Sequence, residues 1–441
     1  MVANYFKKHT NIKMLERFDL QRAVSFSQKI SSDHEYVLNL SEQIWQRLDI
    51  DKTKKVQLKK ECLVTTLINL RNGWLTGTYM RYSRTPNYYN DIPRRYKREY
   101  FTYNLMCGVL TGLNENGYTI EFKGFKNPRD NFAQQTKIRT TDRFNQDITQ
   151  ITNDMIKDIE PPELIVLRGR GKSGIRLEYK DTSETKRLRN ELREYNELRQ
   201  STDITINNTL VSDKKSESFL KLFAVKKTET EIQLRSPYIY RVFNQDFNMG
   251  GRFYNGIESN MPKALRKNLY INGKQTVELD YSGLHIRMLY NLESINPPGN
   301  CYDDLANGNP ELRKLYKLIA LVSINAGSEK KAFMAIRHSL INSDLKTLLP
   351  DLTDNSIKYF YDNWLNTHPK ISKYFNSDIG IKLQNYDSKI SSRIIKHFTK
   401  KTIPILVVHD SFIINEEYKE QLEEIMKREY KFDFGFEAEV N

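Results

Sequence analysis

Two aspartates in this 441-residue chain sit where ionisable side chains commonly do chemistry, at the ends of apolar runs. Residues 275–280 (QTVELD) read as a short strand closing on Asp280, and YSGLHIRMLYNL behind it has helical spacing. Much later, IPILVV-HDS-FIIN reads as a tight hairpin of two buried strands with His409, Asp410 and Ser411 at its turn. A carboxylate at the end of an apolar strand is aimed at a cleft. If the two strands are neighbours in a sheet, Asp280 and Asp410 can hold two hard divalent cations, Mg²⁺ or Mn²⁺, about 3.5–4 Å apart, which activates an attacking hydroxyl and neutralises a triphosphate. The plainer reading of HDS taken alone is a polar hairpin turn. Zinc chemistry lacks ligands, because the seven histidines are scattered with no H-x-x-x-H pair.

The neighbours of these aspartates, taken in chain order, resemble the palm and fingers of family A DNA polymerases and of the related single-subunit phage-type RNA polymerases. Asp280-Tyr281-Ser282-Gly283-Leu284-His285-Ile286-Arg287 is similar to motif A, D-Y-S-x-x-E-x-R, except at the glutamate. Arg313 and Lys317 keep the R-x-x-x-K spacing of motif B, with Asn325-Ala326-Gly327 where Tyr-Gly is expected. Val408-His409-Asp410-Ser411 is similar to motif C in its RNA-enzyme form. Gly251-Arg252, Asn260-Met261-Pro262 and Arg266 resemble the G-R…N-x-x-P…R segment, and Leu383-Gln384 before Ile394-Ile395 resembles the M-Q…D-I-I element. The resemblance covers residues 250–441. It implies that Asp280 and Asp410 coordinate two metal ions and that His409 lies by the primer terminus. Lys317 would contact the triphosphate and protonate the leaving pyrophosphate, with Arg313 one turn earlier on the same face. Tyr281, His285 and Asn325 would meet the nucleotide, and Arg252, Arg266 and Gln384 the template or primer. A solvated helix surface is the plainer reading of R-x-x-x-K. His285 in place of the glutamate, and Asn325 in place of the tyrosine, leave the choice of sugar open. No exonuclease-type carboxylate cluster is evident in the first half, so no proofreading is expected.

To position these residues, we expect an α/β (α+β) chain with a polymerase-like palm at 246–299 and 376–441. Residues 300–375 would form the fingers, with helices near 311–322, 330–341 and 354–366. Residues 160–245 read as a hairpin, ELIVLR-GRGKSG-IRLEY, followed by a thumb-like helix. Gly171-Lys172-Ser173 is no Walker A motif, since Val166 stands where its first glycine is required. Asp181 and Glu184 are spaced as a capping box for the helix. On that helix Leu188, Leu192, Tyr195 and Leu198 make an apolar stripe, while Lys186, Arg187, Arg189, Arg193 and Arg199 either grip a nucleic-acid backbone or pair with Glu191, Glu194 and Glu197. A linker is expected at 159–162. Residues 51–150 read as winged-helix-like: a supporting helix near 54–71, a helix at 101–116 carrying Phe101, Leu105, Val109, Leu110 and Leu113 on one face and stopped by Gly117, then YTIEF and TKIRTT as a two-stranded wing. Residues 1–50 are expected as a helical segment.

The charge points to what these elements hold. The chain has 69 Lys+Arg against 55 Asp+Glu, a net +14, which argues for a polyanionic partner. Before Asp246 there are 43 basic and 30 acidic residues, and from Asp246 onward 26 and 25, so nearly all the excess precedes the palm. Residues 51–100 alone carry 12 basic against 4 acidic, including Arg94, Arg95, Lys97 and Arg98, interleaved with aromatics suited to phosphates and bases. A solvated basic face is the alternative. Three separated cysteines and no 18–20-residue apolar run point to a reducing compartment, the cytoplasm, with no membrane segment and no obligate protein partner evident. The expectation is a template-directed nucleotidyltransferase acting on a nucleic-acid template, DNA in the first instance, and nucleoside triphosphates. A phage-type RNA polymerase or primase-like enzyme is the near alternative, and a DNA-binding replication or regulatory protein with a degenerate palm is the distant one.

Overall fold

The computed structural model describes residues 22–127, 132–169, 174–207, 213–297, 299–341 and 343–441. The first part of the 1–50 segment and the Gly171-Lys172-Ser173 tip lie outside the described residues. Half the chain is helix and 18% strand, in several small sheets, so the class is mixed α+β. Among the described residues no helix is long and apolar enough to cross a membrane.

The amino-terminal unit has its own core, built on three helices, α1 (Glu35–Arg47), α2 (Val56–Thr76) and α3 (Tyr103–Glu115). The middle of α2 is apolar or small on every side, so it is buried all round from Cys62 to Arg71, as a helix without a polar face must be. Gly77, at φ 67°, ends it. Arg71 is buried with it, donating from Nε to the Ile151 carbonyl at 2.8 Å and from Nη1 to Asn153 Oδ1 at 2.6 Å. The unit's sheet has strands β1 (Ala23–Ser25), β2 (Tyr79–Tyr82), β3 (Thr119–Phe122) and β4 (Thr136–Thr140) in the order β1-β2-β4-β3. The expected wing pair is thus β3 and β4, but β4 is an inner strand buried along its whole length. Its Ile138 enters the helical core, while Thr136, Lys137, Arg139 and Thr140 are buried polar or charged residues beside it.

The expected linker at 159–162 is packed as well, with Pro161 and the following Glu163 buried. After it, β5 (Ile165–Arg168) enters a three-stranded sheet, and α4 (Ser183–Gln200) begins with a capping box formed by Thr182 and Thr185, one residue later than Asp181 and Glu184. Strands β6 (Ile204–Asn207), β7 (Ala224–Lys227) and β8 (Glu231–Leu234) follow. Next come β9 (Tyr240–Asn244), β10 (Asp246–Tyr254), the short helix α5 (Ile257–Asn260), β11 (Leu269–Ile271) and β12 (Lys274–Asp280). Helices α6 (Leu284–Leu292), α7 (Pro310–Ile324), α8 (Glu329–Ile341), α9 (Asp354–Thr367) and α10 (Gly380–Thr399) lead to the hairpin β13 (Ile405–Val408) and β14 (Ser411–Asn415), and α11 (Lys419–Phe434) closes the series.

The main sheet is seven-stranded and antiparallel throughout, in the order β7-β8-β6-β11-β12-β14-β13. Its two faces follow from alternation along each strand. Val277, Leu279, Val407 and Phe412 point into the large core shared with α6–α11, whereas Leu406 and Ile413 meet a second core with Ile206, Ile257 and Leu265. Strand β9 pairs in parallel with β5 and antiparallel with β10, and α10 lies across β10. The close approach requires Gly251, at φ 89°, where a Cβ would stand 2.6 Å from Phe243 Cε1 and 2.8 Å from Ser388 Oγ.

Candidate active site

The register of β12, β14 and β13 brings the two aspartates together. Asp280 pairs with Ser411 and Glu278 with Ile413, while Val408 pairs with Ser411 from the other side, leaving His409 and Asp410 as a two-residue turn beside Asp280. Directly paired residues share a face, so the face that is apolar at Leu406 and Ile413 becomes polar at Ser411, Glu278 and Asp280. His409 has φ 60°, a region that strains a residue with a Cβ and is populated where the surroundings over-determine it. Ser411 Oγ donates to Glu278 Oε1 at 2.9 Å, and Arg266 Nε donates to Glu278 Oε2 at 3.0 Å. Residues 439–441 extend the ladder past β11. Asp280 and Asn441 exchange both backbone hydrogen bonds, at 2.9 and 3.0 Å, and Ser282 N–H donates to the Glu439 carbonyl at 2.9 Å.

Asp280 can be reached by solvent, yet protein crowds its carboxylate. That desolvation, followed by the charge of Asp410, pushes its pKa up to about 6, against the pull of Lys317. Neither Asp280 nor Asp410 has an ion-pair partner among the described residues, while Glu278 beside them is bound by Arg266 and Ser411. Lys317 reaches this field from α7, where its Nζ lies 5.8 Å from the centroid of the buried Tyr302 ring. Arg313, one turn earlier, lies over the same ring at 5.7 Å and donates to Asp303 Oδ1 at 2.5 Å. Among the described residues no three His, Cys, Asp or Glu side chains converge as a metal cage. Two adjacent, uncompensated carboxylates still fit Mg²⁺ or Mn²⁺, which are commonly held by one or two carboxylates, with waters and substrate phosphates completing the shell.

A second cluster lies behind the turn. Asp387, on α10, is 1% exposed and accepts from Arg252 Nε at 3.2 and 3.1 Å, and His285 Nε2 stands 2.9 Å from its Oδ2. Arg252 Nη2 lies 3.3 Å from the same histidine nitrogen. His409 is close enough to be affected: desolvation, then the Arg252 cation, hold its pKa below the ordinary histidine range, with Asp410 and Asp387 opposing them. Sequence reading missed Asp387, although a signal was present. Leu383, Asp387, Ile390 and Ile394 recur at helical spacing, which puts a carboxylate on an apolar face where it must find a cation.

The structure thus brings together Asp280, Asp410, His409, Lys317, Arg252, Arg266 and His285. Tyr281 turns the other way: it is 4% exposed, and its hydroxyl donates to the Met426 carbonyl at 2.6 Å, so it anchors the strand to α11. Asn325 caps the end of α7, its Nδ2 donating to the Leu321 carbonyl at 2.7 Å, and its Oδ1 would stand 2.0 Å from a Cβ at Gly380. Gln384 is half-buried on the first turns of α10.

The run 94–98 departs most from expectation. Arg94 is exposed, but Arg95 pairs with Glu178 at 2.5 Å, Lys97 Nζ donates to the Tyr89 carbonyl at 2.7 Å, and Arg98 Nη2 donates to the Glu160 carbonyl. Tyr96 Oη donates to the Leu177 carbonyl at 2.8 Å, which makes the run a strap between the amino-terminal unit and the β5 hairpin. On α4 only Arg187 pairs as the ion-paired alternative expects, with Glu191, whereas Arg189 pairs with Glu163 and Asp181, and Arg193 with Glu160, all outside the helix. Arg199 is no part of an outer cationic face: it is 1% exposed and bound to the fully buried Glu258.

No family model matches the chain, and no curated protein matches it.

Proposed function

We propose that the chain is a template-directed nucleotidyltransferase of the family A polymerase type, adding nucleotides to a nucleic-acid strand by two-metal phosphoryl transfer, without proofreading. The observation that carries this reading is the β12/β14 register, which sets Asp280 beside Asp410, neither of them neutralised, within the field of a lysine from a separate helix. Asp280 and Asp410 would hold Mg²⁺ or Mn²⁺, which when bound supplies charge neutralisation to the triphosphate and acidity to the attacking hydroxyl. Lys317 Nζ meets the triphosphate and gives its proton to the departing pyrophosphate oxygen. The ion pair with Asp303 holds Arg313 on the same face. His285, with Nε2 fixed by Asp387, takes the place of the motif A glutamate near the sugar, and Arg252, locked by that same carboxylate, faces the primer side of the turn.

The test is incorporation by the full chain on primed and unprimed templates, with Mg²⁺ or Mn²⁺ and with deoxyribonucleoside or ribonucleoside triphosphates in separate reactions. Extension by the wild type, reduced on the order of 10³-fold in Asp280→Ala and in Asp410→Ala, is expected, equivalent to several kcal/mol of lost charge stabilisation. No extension under any condition refutes the activity. Extension unchanged in both variants refutes the site.

A further inference from the structure

A second feature, away from the aspartate pair, gathers cations that outnumber the carboxylates left free to meet them. Between the amino-terminal unit and the β5 sheet lies a cavity of about 250 Å³, lined among others by Ser27, Gln28, Lys29, Tyr96, Arg176 and Tyr240. Lys29 Nζ sits 4.8 Å from the centroid of the Tyr240 ring and donates to Asn255 Oδ1. Arg176 lies 5.6 Å from the Tyr96 ring and donates from Nη1 to the Tyr96 carbonyl at 3.0 Å. An antiparallel bridge sets Arg168 directly opposite Arg176.

The carboxylates nearby are already engaged. Glu163 lines the cavity but takes two hydrogen bonds of 2.9 Å from Arg189 and faces Arg95 at 3.4 Å, and Asp158 faces Arg235 at 3.7 Å. Among the described residues, therefore, Lys29, Arg168 and Arg176 have no ion-pair partner. Their mutual repulsion registers at Lys29, whose pKa burial, and then Arg176, bring down to about 8 against the pull of Asp158. Two half-buried cations lining a polar cavity, with Arg168 paired opposite one of them, cost stability unless an anion enters.

The walls indicate which anion. Tyr240 and Tyr254 stack with centroids 6.3 Å apart and planes 22° apart, and Tyr254 is 36% exposed, so an aromatic face stands beside the cation cluster. Cations that meet phosphate next to rings that meet bases are the combination that holds single strands. The strand is continuous with the candidate active site as well. Asn255, which holds Lys29, stands just past the end of β10, three residues after Arg252, and so within roughly 10 Å of it along the chain.

We infer that this cavity binds a phosphate group of a nucleic-acid strand, held by Lys29 and Arg176 with Arg168 at the rim.

The experiment measures binding of a fluorescein-labelled oligothymidylate to the full chain without divalent cation, which separates it from the catalytic reading. Thymidine monophosphate serves as competitor. With Lys29→Gln and with Arg176→Gln, the dissociation constant is expected to rise at least about fivefold at about 100 mM salt, and the slope of log K against log salt to shrink by about 0.7 for each lost contact. Lys29→Arg is expected to retain wild-type binding. Competition by thymidine monophosphate would identify a site for any nucleotide phosphate, and its absence a site for phosphates within a strand. Both outcomes uphold the anion site. Unchanged affinity and slope in the two Gln variants, with melting as in the wild type, would overturn it. So would a wild type that binds neither probe.

Discussion

Arg199→Met offers the sharpest test of how α4 is held to α5. Arg199 is 1% exposed and Glu258 0%, and the guanidinium makes two hydrogen bonds to the carboxylate, each 3.1 Å. Methionine keeps much of the apolar stem but leaves the Glu258 carboxyl group without its cation in a dry site. Breaking a buried pair in this way costs about 3–5 kcal/mol, and a pair at this separation attracts by about 5 kcal/mol at an effective dielectric constant near 20. Because Arg199 Nε has no acceptor in the native structure, some of that gain is already forfeited, and we expect a loss of about 3–4 kcal/mol. The assay is equilibrium urea unfolding followed by circular dichroism, with Arg199→Met/Glu258→Leu alongside. Removing both charges is expected to recover stability to within about 1 kcal/mol of wild type, since neither is then left alone. A single variant that loses less than about 1 kcal/mol, or a double variant as unstable as the single, would refute the assignment of a compensated buried pair. The pair also bears on the site, because the Glu258 carbonyl accepts from Arg266 Nη1 at 3.4 Å and Arg266 in turn holds Glu278.

Gly251→Ala is expected to cost about 2–4 kcal/mol, from the positive φ and from overlap with Phe243 and Ser388, with nucleotide incorporation falling in step as β10 lifts from α10; a melting temperature equal to wild type would contradict it. Lys29 supplies a pH signature. Its amine titrates at about 8 in the fold against an ordinary lysine value of 10.5, so between these values the unfolded chain binds the extra proton and the stability of the wild type rises with pH. Relative to Lys29→Met, the wild type is expected to gain stability from about pH 8 to pH 10.5 and to show a constant deficit below about pH 8; a difference in melting temperature that ignores pH would exclude the depressed lysine.

What could be read beforehand depended on whether a residue's role was local. Residues 274–280 and the 405–415 hairpin announce themselves through continuous apolar runs ending in polar residues, and Asp280, Asp410, Arg313 and Lys317 fall on the expected elements. Helix α3 was legible for the same reason, with a stripe at helical spacing and a glycine behind it. The failures share a different cause. Asp387 is explained by Arg252, 135 positions away, and Glu258 by Arg199, 59 positions away, and no window of local sequence contains both partners. The basic run 94–98 looks like a phosphate-binding surface because charge is visible in sequence whereas the carbonyls that absorb it are not. The capping box slipped by one residue because Thr182 and Thr185 satisfy the same geometric demand as Asp181 and Glu184.

The pairing of Asp280 with Asn441 has a consequence for the order of folding. It closes a span of roughly 160 residues, and the entropy of such a closure must be met before the contact yields anything. Arg252 with Asp387, and Asp280 with Ser411, carry similar separations, whereas the three amino-terminal helices pack on one another over a few tens of residues, with Arg71 reaching Ile151 over 80. The amino-terminal unit can therefore collapse early on its own core. The aspartate pair has to wait for these longer closures, so a chain can be largely helical before Asp280 meets Asp410, and the approach of those two residues during refolding reports completion where the return of helix does not.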